Sequence, residues 1–331
     1  MNRLILVSAI SAALFLPTAT FAQASPPEAQ VNALEGLFGK QAGARRSQAK
    51  GVCATGYFTG SADARSLSQA SVFSGNRIPV IARFSVGGGN PKASDKSRSV
   101  RGFAFQMDAP NGEQWQSANI SAPIFFVSKP EQFAPFFQAR TADPATGKPD
   151  PAKLKAFNDA NPETTLQGAY VAKAPIPASY ASVNYWGVNA FEFVNARGAS
   201  QFVRWQFVPE GGVVGLTEEQ MKSLPDDFLV DELRKRVSDK TASFELRLQL
   251  AEKEDNLTNP TQAWPDTRKT VSAGRLVIDK VEPVGTGACE KMIFNPLVLP
   301  KGINPSADPV LTARPAPYAI SLSRRLTEQP K

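Results

Sequence analysis

The chain has 331 residues, a net charge of +7 and no histidine. Its charge is dispersed, and the basic cluster Arg234, Lys235 and Arg236 falls on a helical pattern whose charged face reads as solvated, so nucleic-acid binding is set aside. Without histidine there can be no Ser/His/Asp triad, Cys/His pair or histidine-ligated metal, while 42% hydrophobic residues suffice for one sizeable core.

Residues 1–24 begin with Arg3, continue through an apolar run from Leu4 to Leu16 and end among small residues at Ala22 and Ala24. This is the pattern of a secretory signal peptide, too short to span a membrane, and it predicts an exported protein, periplasmic or secreted, with residues 25–331 as a single domain. No other stretch is apolar enough for a membrane span. Cys53 and Cys289, far apart in a chain bound for an oxidising compartment, fit a single disulfide; a two-thiol metal site is the poorer alternative.

Val31, Leu34, Leu37 and Phe38 fall at helical spacing. Strand patterns follow at 77–86 and 99–107, separated by the loop GGGNPKASDK, which lacks the Lys-Ser/Thr pair of a phosphate loop. The run 122–140 reads as a short apolar strand followed by a segment opening at Pro130, suited to the first turn of a helix. Residues 141–182 are a Pro-, Ala- and Asp-rich excursion with a helix at 151–160. Strands at 189–196 and 200–209 form a hairpin around 197–199. At 242–252, Phe244, Leu246, Leu248 and Leu250 alternate with Glu245, Arg247 and Gln249, which means one buried and one wet face, and 272–283 supplies a last strand. Six to eight strands in runs predict an α+β fold, an antiparallel sheet or barrel with added helices.

Six segments carry more than their separate patterns: RSQAKG at 46–51, ARFSVGGG at 82–89, RGFAFQM at 101–107, APIFFVSKPEQF at 122–133, FEFVNARGASQFVRWQF at 191–207 and ADPVLTARPAPYAISLSRR at 307–325. In order and spacing they resemble the catalase superfamily over nearly the whole mature chain, and most closely its short branch, the catalase-related peroxidases. The resemblance implies an antiparallel β-barrel of the catalase type with surrounding helices, and haem b, iron protoporphyrin, as cofactor. It makes Tyr318 the proximal iron ligand, tuned by Arg314, with Arg325 following. A phenol can bind iron(III) as phenolate where the metal and a guanidinium one helical turn away both favour the anion. Arg45, three residues before the distal position, and Arg83, before Phe84–Ser85, would hold the haem carboxylates with their rigid forks, and Phe133 would stack on the porphyrin beside Phe125 and Phe126.

On the distal side the family uses a histidine, a serine and an asparagine. Ser85 matches the serine and Gln48 stands in the histidine's place. Aligned without a gap, the asparagine falls on Ile120, one residue from Asn119. Gln138 and Gln206 also stand where relatives often have histidine. A glutamine amide gives and accepts hydrogen bonds but takes up no proton at ordinary pH. The resemblance therefore implies a haem peroxidase that reduces H2O2 or organic hydroperoxides and oxidises a small organic reductant, impaired by the lost base. Gln48, Ser85 and Asn119 are its distal residues. A non-catalytic exported haem-binding protein on the same fold is the alternative, and a homo-oligomer stays open.

Overall fold

The computed structural model describes residues 26–328, so the signal-peptide reading of 1–24 lies outside the described residues. Strands β1 (Gly51–Gly60), β2 (Arg77–Val86), β3 (Arg101–Asp108), β4 (Gln114–Ile120), β5 (Tyr185–Val194), β6 (Ser200–Pro209), β7 (Ser243–Leu250) and β8 (Thr270–Val281) each pair antiparallel with the next. Pairing of β1 with β8 and a bridge between Ile120 and Trp186 close them into an eight-stranded barrel. A short β9 (Ile303–Pro305) adds to β5 at Phe191–Phe193.

Alternation decides what fills the barrel, because successive side chains on a strand point to opposite faces. On β2 the buried set Ile78, Val80, Ala82, Phe84 and Val86 takes one face; on β3 it is Phe103, Phe105 and Met107; on β7 it is Phe244, Leu246 and Leu248. The rings interlock: Phe84 stacks on Phe103 at 5.0 Å, Phe103 meets Phe207 edge-on at 5.1 Å, and Trp115 meets Trp205 edge-on at 5.2 Å. The interior is thus a packed aromatic core, and any ligand site must lie outside the barrel wall.

The outer face of β2 shows where. It is exposed at Arg77 and Pro79 but buried at Arg83 and Ser85, so something covers the far end of the strand. The cover is helical: α1 (Pro27–Phe38), α3 (Phe133–Gln138) and α9 (Pro315–Thr327) pack together there. A second apolar cluster, containing Leu34, Ala134 and Phe137 with Phe38, Phe126, Phe133 and Phe136 around them, holds α1 to α3. The remaining helices are α2 (Ala62–Leu67), α4 (Pro151–Ala160), α5 (Leu166–Lys173), α6 (Glu218–Ser223), α7 (Phe228–Ser238) and α8 (Pro309–Ala313).

The helix expected at 151–160 is α4, capped by Asp150, whose carboxylate accepts from Ala152 N and Lys153 N. The short apolar strand expected after residue 122 is not one. The strand is β4, which ends at Ile120, and residues 122–127 run as loop, with Phe125 N donating to Pro260 O at 2.8 Å. The apolar run there answers to burial of Ile124 and Val127 and to the ring cluster, not to a pleated surface. Cys53 and Cys289 are joined in a disulfide, with Cα atoms 5.6 Å apart.

Phe244 packs against Phe84, Phe103 and Tyr185. Phe244→Ala is expected to lower unfolding free energy by about 3–5 kcal/mol in chemical denaturation, whereas Arg247→Ala on the wet face of the same strand shifts it by no more than about 0.5 kcal/mol.

Candidate active site

Between the outer faces of β2, β3 and β4 and the helical cover lies a cavity of about 510 Å³. Its walls are largely apolar, with Val31 and Leu34 from α1, Phe126 and Phe133 on one side, and Ala104 and Ala118 on the barrel. The ionisable side chains lining it are arginines and Tyr318; among the described residues no Asp, Glu, Lys or Cys reaches it. Residues of the 141–182 excursion contribute Gln167, Gly168 and Val171 to its rim.

One end is built by Tyr318 and Arg314. The two lie one turn apart at the start of α9, and Arg314 Nε donates to Tyr318 Oη at 2.9 Å. Arg314 is itself fixed, donating to Asn189 Oδ1 at 3.0 Å and to Ala118 O at 3.3 Å. Asn189 in turn donates to Asp308 at 2.6 Å, and Asp308 caps α8 by accepting from Val310 N at 2.8 Å. Burial raises the Asp308 carboxyl above its usual range, opposed by Asn189 and the capping amides. Asn189 sits where the β5–β6 register slips between Gly187 and Phe191, and such a bulge re-aims a side chain.

The opposite face carries Gln48 and Ser85. Ser85 Oγ donates to Gln48 Oε1 at 3.0 Å, leaving the amide nitrogen to the cavity that Gln48 lines. Ser85 stands between Gly51 and Gly102 on the adjacent strands. A Cβ on Gly102 would lie 2.5 Å from Ser85 Oγ and 2.8 Å from Gln48 Oε1, so the bare backbone of β3 makes the niche for the amide. Gln48 has a φ of 55°, a left-handed conformation that costs a side-chain-bearing residue about 1–3 kcal/mol. The fold holds it there by bonds on both sides: Arg83 donates to Gln48 O at 2.8 Å and Ala49 O at 3.1 Å, and Ala49 N donates to Gly88 O at 3.0 Å.

Arg45, Arg83 and Arg325 meet beside these two ends. Arg45 Nη2 donates to Cys289 O at 2.7 Å and Met292 O at 3.1 Å, and Arg325 Nη2 donates to Met292 O at 3.0 Å. The hydrogen bonds of all three go to backbone carbonyls, and each keeps a buried Nε without a partner. Burial, with Arg83 and Arg325 as like charges beside it, pushes the Arg45 guanidinium down to about 8 against the pull of Glu290; burial, with Arg325 as a like charge, takes Arg83 to about 10 against the pull of Glu290 and Tyr180. A guanidinium does not give up its proton in a protein, so these shifts measure a demand for negative charge. The donor set suits a large apolar group carrying carboxylates.

Phe133 is in the cavity wall within a ring cluster, 5.4 Å from Phe126 and 5.0 Å from Phe137. Asn119 borders the cavity, but its amide is engaged inside the barrel. It donates to Phe103 O at 2.9 Å and accepts from Trp205 Nε1 at 2.8 Å and Ser117 Oγ at 3.0 Å. Trp205 can reach it because Gly187, opposite on β5, has no Cβ to strike the indole. Ile120, the ungapped match, also lines the cavity and brings no polar group.

Three supporting residues carried no sequence signal that was used. Arg46 is buried, pairs with Glu35 at 2.6 Å and with Glu328, and donates to Ala44 O at 2.7 Å; burial opposes its charge, but the two carboxylates more than restore it. It thereby pins the segment bearing Gln48 to α1 and to the end of α9. Asn189 and Asp308 are the others, and the DP pair opening α8 was the available cue, since Asp before Pro is a helix-capping pattern.

A family model described as Catalase matches residues 38–330. The chain is 40% identical over 322 residues to a catalase-related peroxidase of Synechococcus elongatus, covering 97% of this chain and 95% of that one. It is 33% identical over 300 residues to a catalase-related peroxidase of Mycolicibacterium paratuberculosis, covering 90% and 94%. Among solved structures, catalase A from Saccharomyces cerevisiae superposes with a TM-score of 0.77 at 24% identity; the match covers 87% of this chain but 62% of that larger protein, under two thirds of its length. The barrel, the arginine-lined cavity and these matches agree, and the chain belongs to the catalase family.

Proposed function

We propose that this protein is an exported haem peroxidase of the catalase-related type, with residues 25–331 as its haem domain, reducing H2O2 or an organic hydroperoxide at the expense of a small organic reductant. The observation that carries the reading is the convergence on one apolar cavity of three arginines with free, buried Nε groups and of the Arg314–Tyr318 pair. Haem b would be held with its carboxylates on Arg45, Arg83 and Arg325, its face against Phe133, and its iron on Tyr318 Oη. When bound, it supplies the redox-active iron that takes up the oxidising equivalents of the peroxide. Export is supported by the pattern of residues 1–24 and by the disulfide.

The chain's own residues then have limited tasks. Arg314, fixed by Asn189, donates to Tyr318 Oη and holds that oxygen in place for the iron. Gln48 can orient a peroxide through its amide nitrogen while Ser85 fixes the oxygen end. Asn119, called on by Trp205 and Phe103, has its amide committed to the barrel. Among the described residues that line the cavity beside Gln48 there is no general base to move the peroxide proton from one oxygen to the other, since arginine keeps its protons and an amide takes none. That proton must leave to solvent, so turnover is slow and depends on hydroperoxide anion. The same base-free lining favours a second reading, a haem-binding protein without turnover.

Two experiments test this. Tyr318→Phe is expected to abolish the tyrosinate bands in the visible spectrum of the haem-loaded protein; an unaltered spectrum would refute that ligand. In stopped flow with H2O2, the wild-type rate constant should rise roughly tenfold per pH unit, following hydroperoxide anion, whereas Gln48→His should react roughly 10²- to 10⁴-fold faster near neutrality and level off above the imidazole pKa. A wild type that binds haem but shows no reaction at any pH supports the second reading, and an unchanged Gln48→His rate shows that the amide is not the defect.

A further inference from the structure

The disulfide lies closer to the arginine cluster than a mere chain staple needs to. Cys53 is on β1, and Cys289 is in a short 3-10 turn, Ala288–Lys291, that follows the exposed segment 283–286. Both cysteines are fully buried. The turn holds the arginines through its own backbone: Cys289 O takes Arg45 at 2.7 Å, and Met292 O, just past it, takes Arg45 and Arg325 at 3.1 and 3.0 Å. Gly287, before the turn, packs so tightly that a Cβ would lie 2.3 Å from Cys53 Cβ. Arg83 is held differently, by Gln48 O and Ala49 O, which are not on this turn.

We propose that the Cys53–Cys289 bond is a positioning device: it fixes the turn whose carbonyls aim Arg45 and Arg325 at the carboxylates of the bound group, and so makes firm haem retention depend on oxidation of this pair. The proposal rests on the haem reading above. The physical ground is that a guanidinium on a flexible stem presents its free N–H groups in a fixed direction only when its other donors are tied, and here the tie is two carbonyls of one stapled turn. The bond also closes a loop of more than two hundred residues, which stabilises the chain as a whole. The positioning role must therefore be separated from that general one.

The test is haem transfer from the loaded protein to excess apomyoglobin, read as a dissociation rate, with thermal unfolding recorded beside it. Cys289→Ala keeps the backbone carbonyl and leaves Cys53 beside Arg83. It is expected to speed haem loss roughly tenfold or more, the scale of one weakened charge-assisted hydrogen bond. Added to the Arg45→Ala/Arg325→Ala pair it should be little faster than that pair alone, because both remove the contacts the turn aims; combined with Phe133→Ala, which bonds nothing on the turn, the two factors should multiply. Gly287→Ala, which keeps the cysteines but forces the turn away from Cys53, should show the same pattern and serves if Cys289→Ala does not fold. Factors that multiply with the Arg45→Ala/Arg325→Ala pair as they do with Phe133→Ala, or an unchanged rate in protein shown by mass to lack the bond, would overturn the proposal while leaving the haem reading intact. A wild type that takes up no haem overturns both.

Discussion

Three guanidinium groups line the cavity, and among the described residues no carboxylate is hydrogen-bonded to any of them. Burying charge without a bonded partner is costly; Glu290 acts on all three guanidinium groups, and on the proposed reading the carboxylates of the bound group supply the rest of the negative charge. Much of the local structure serves this constraint. The outer face of β2 goes from exposed to buried at Arg83, the carbonyls of Gln48, Ala49, Cys289 and Met292 take guanidinium donors, and α9 brings Arg325 to the same cavity as Tyr318. The aromatic barrel core has a mechanical part in this, because a packed interior holds the outward-facing residues of β2 to β4 at fixed positions.

The two ends of the cavity are built to different standards of polarity. Around Tyr318 the polar groups form an unbroken relay from the α8 cap through Asp308, Asn189 and Arg314 to the phenolic oxygen. Burial makes that relay strong, since a hydrogen bond in a low-dielectric setting is worth more than one in water and its loss is correspondingly costly. At the Gln48 end the relay is two groups long, Ser85 and the amide, and ends there. A charge can be stabilised at the first end; at the second, a ligand can be held but not deprotonated.

How legible this was in the sequence depended on whether a residue's role is local. Strand alternation at 242–252, the helix at 151–160 and the RPAPY turn each encode their geometry in neighbours a few residues apart, and those were readable. The strand β4 was missed because QWQSANI carries polar residues on both faces: Gln116 bonds Gln106 outside, while Ser117 and Asn119 are paired within the barrel. Asn119 illustrates the same limit at the site. Its amide is turned inward by an indole from β6 that passes a glycine on β5, an arrangement among three strands that no spacing in one of them encodes. Arg46 has no local signal for its role, because its two carboxylates, Glu35 and Glu328, lie at opposite ends of the chain.

The remaining question is whether Gln48 is a gap in the machinery or a fitted part. A histidine simply replaced would leave its surroundings shaped for a ring. Here the side-chain oxygen has its own donor in Ser85, the Gly102 face of β3 closes to contact distance, and the backbone is kept in an unfavourable left-handed turn by Arg83, itself part of the arginine wall. On the proposed reading, anchoring the carboxylates and holding the Gln48 backbone are therefore tasks of one side chain. The amide thus occupies the niche in a fixed orientation, and what it lacks relative to an imidazole is proton affinity. On the proposed reading, the limit on turnover is then one of proton transfer and not of positioning, which is why one titratable ring at this position is the substitution that tests it.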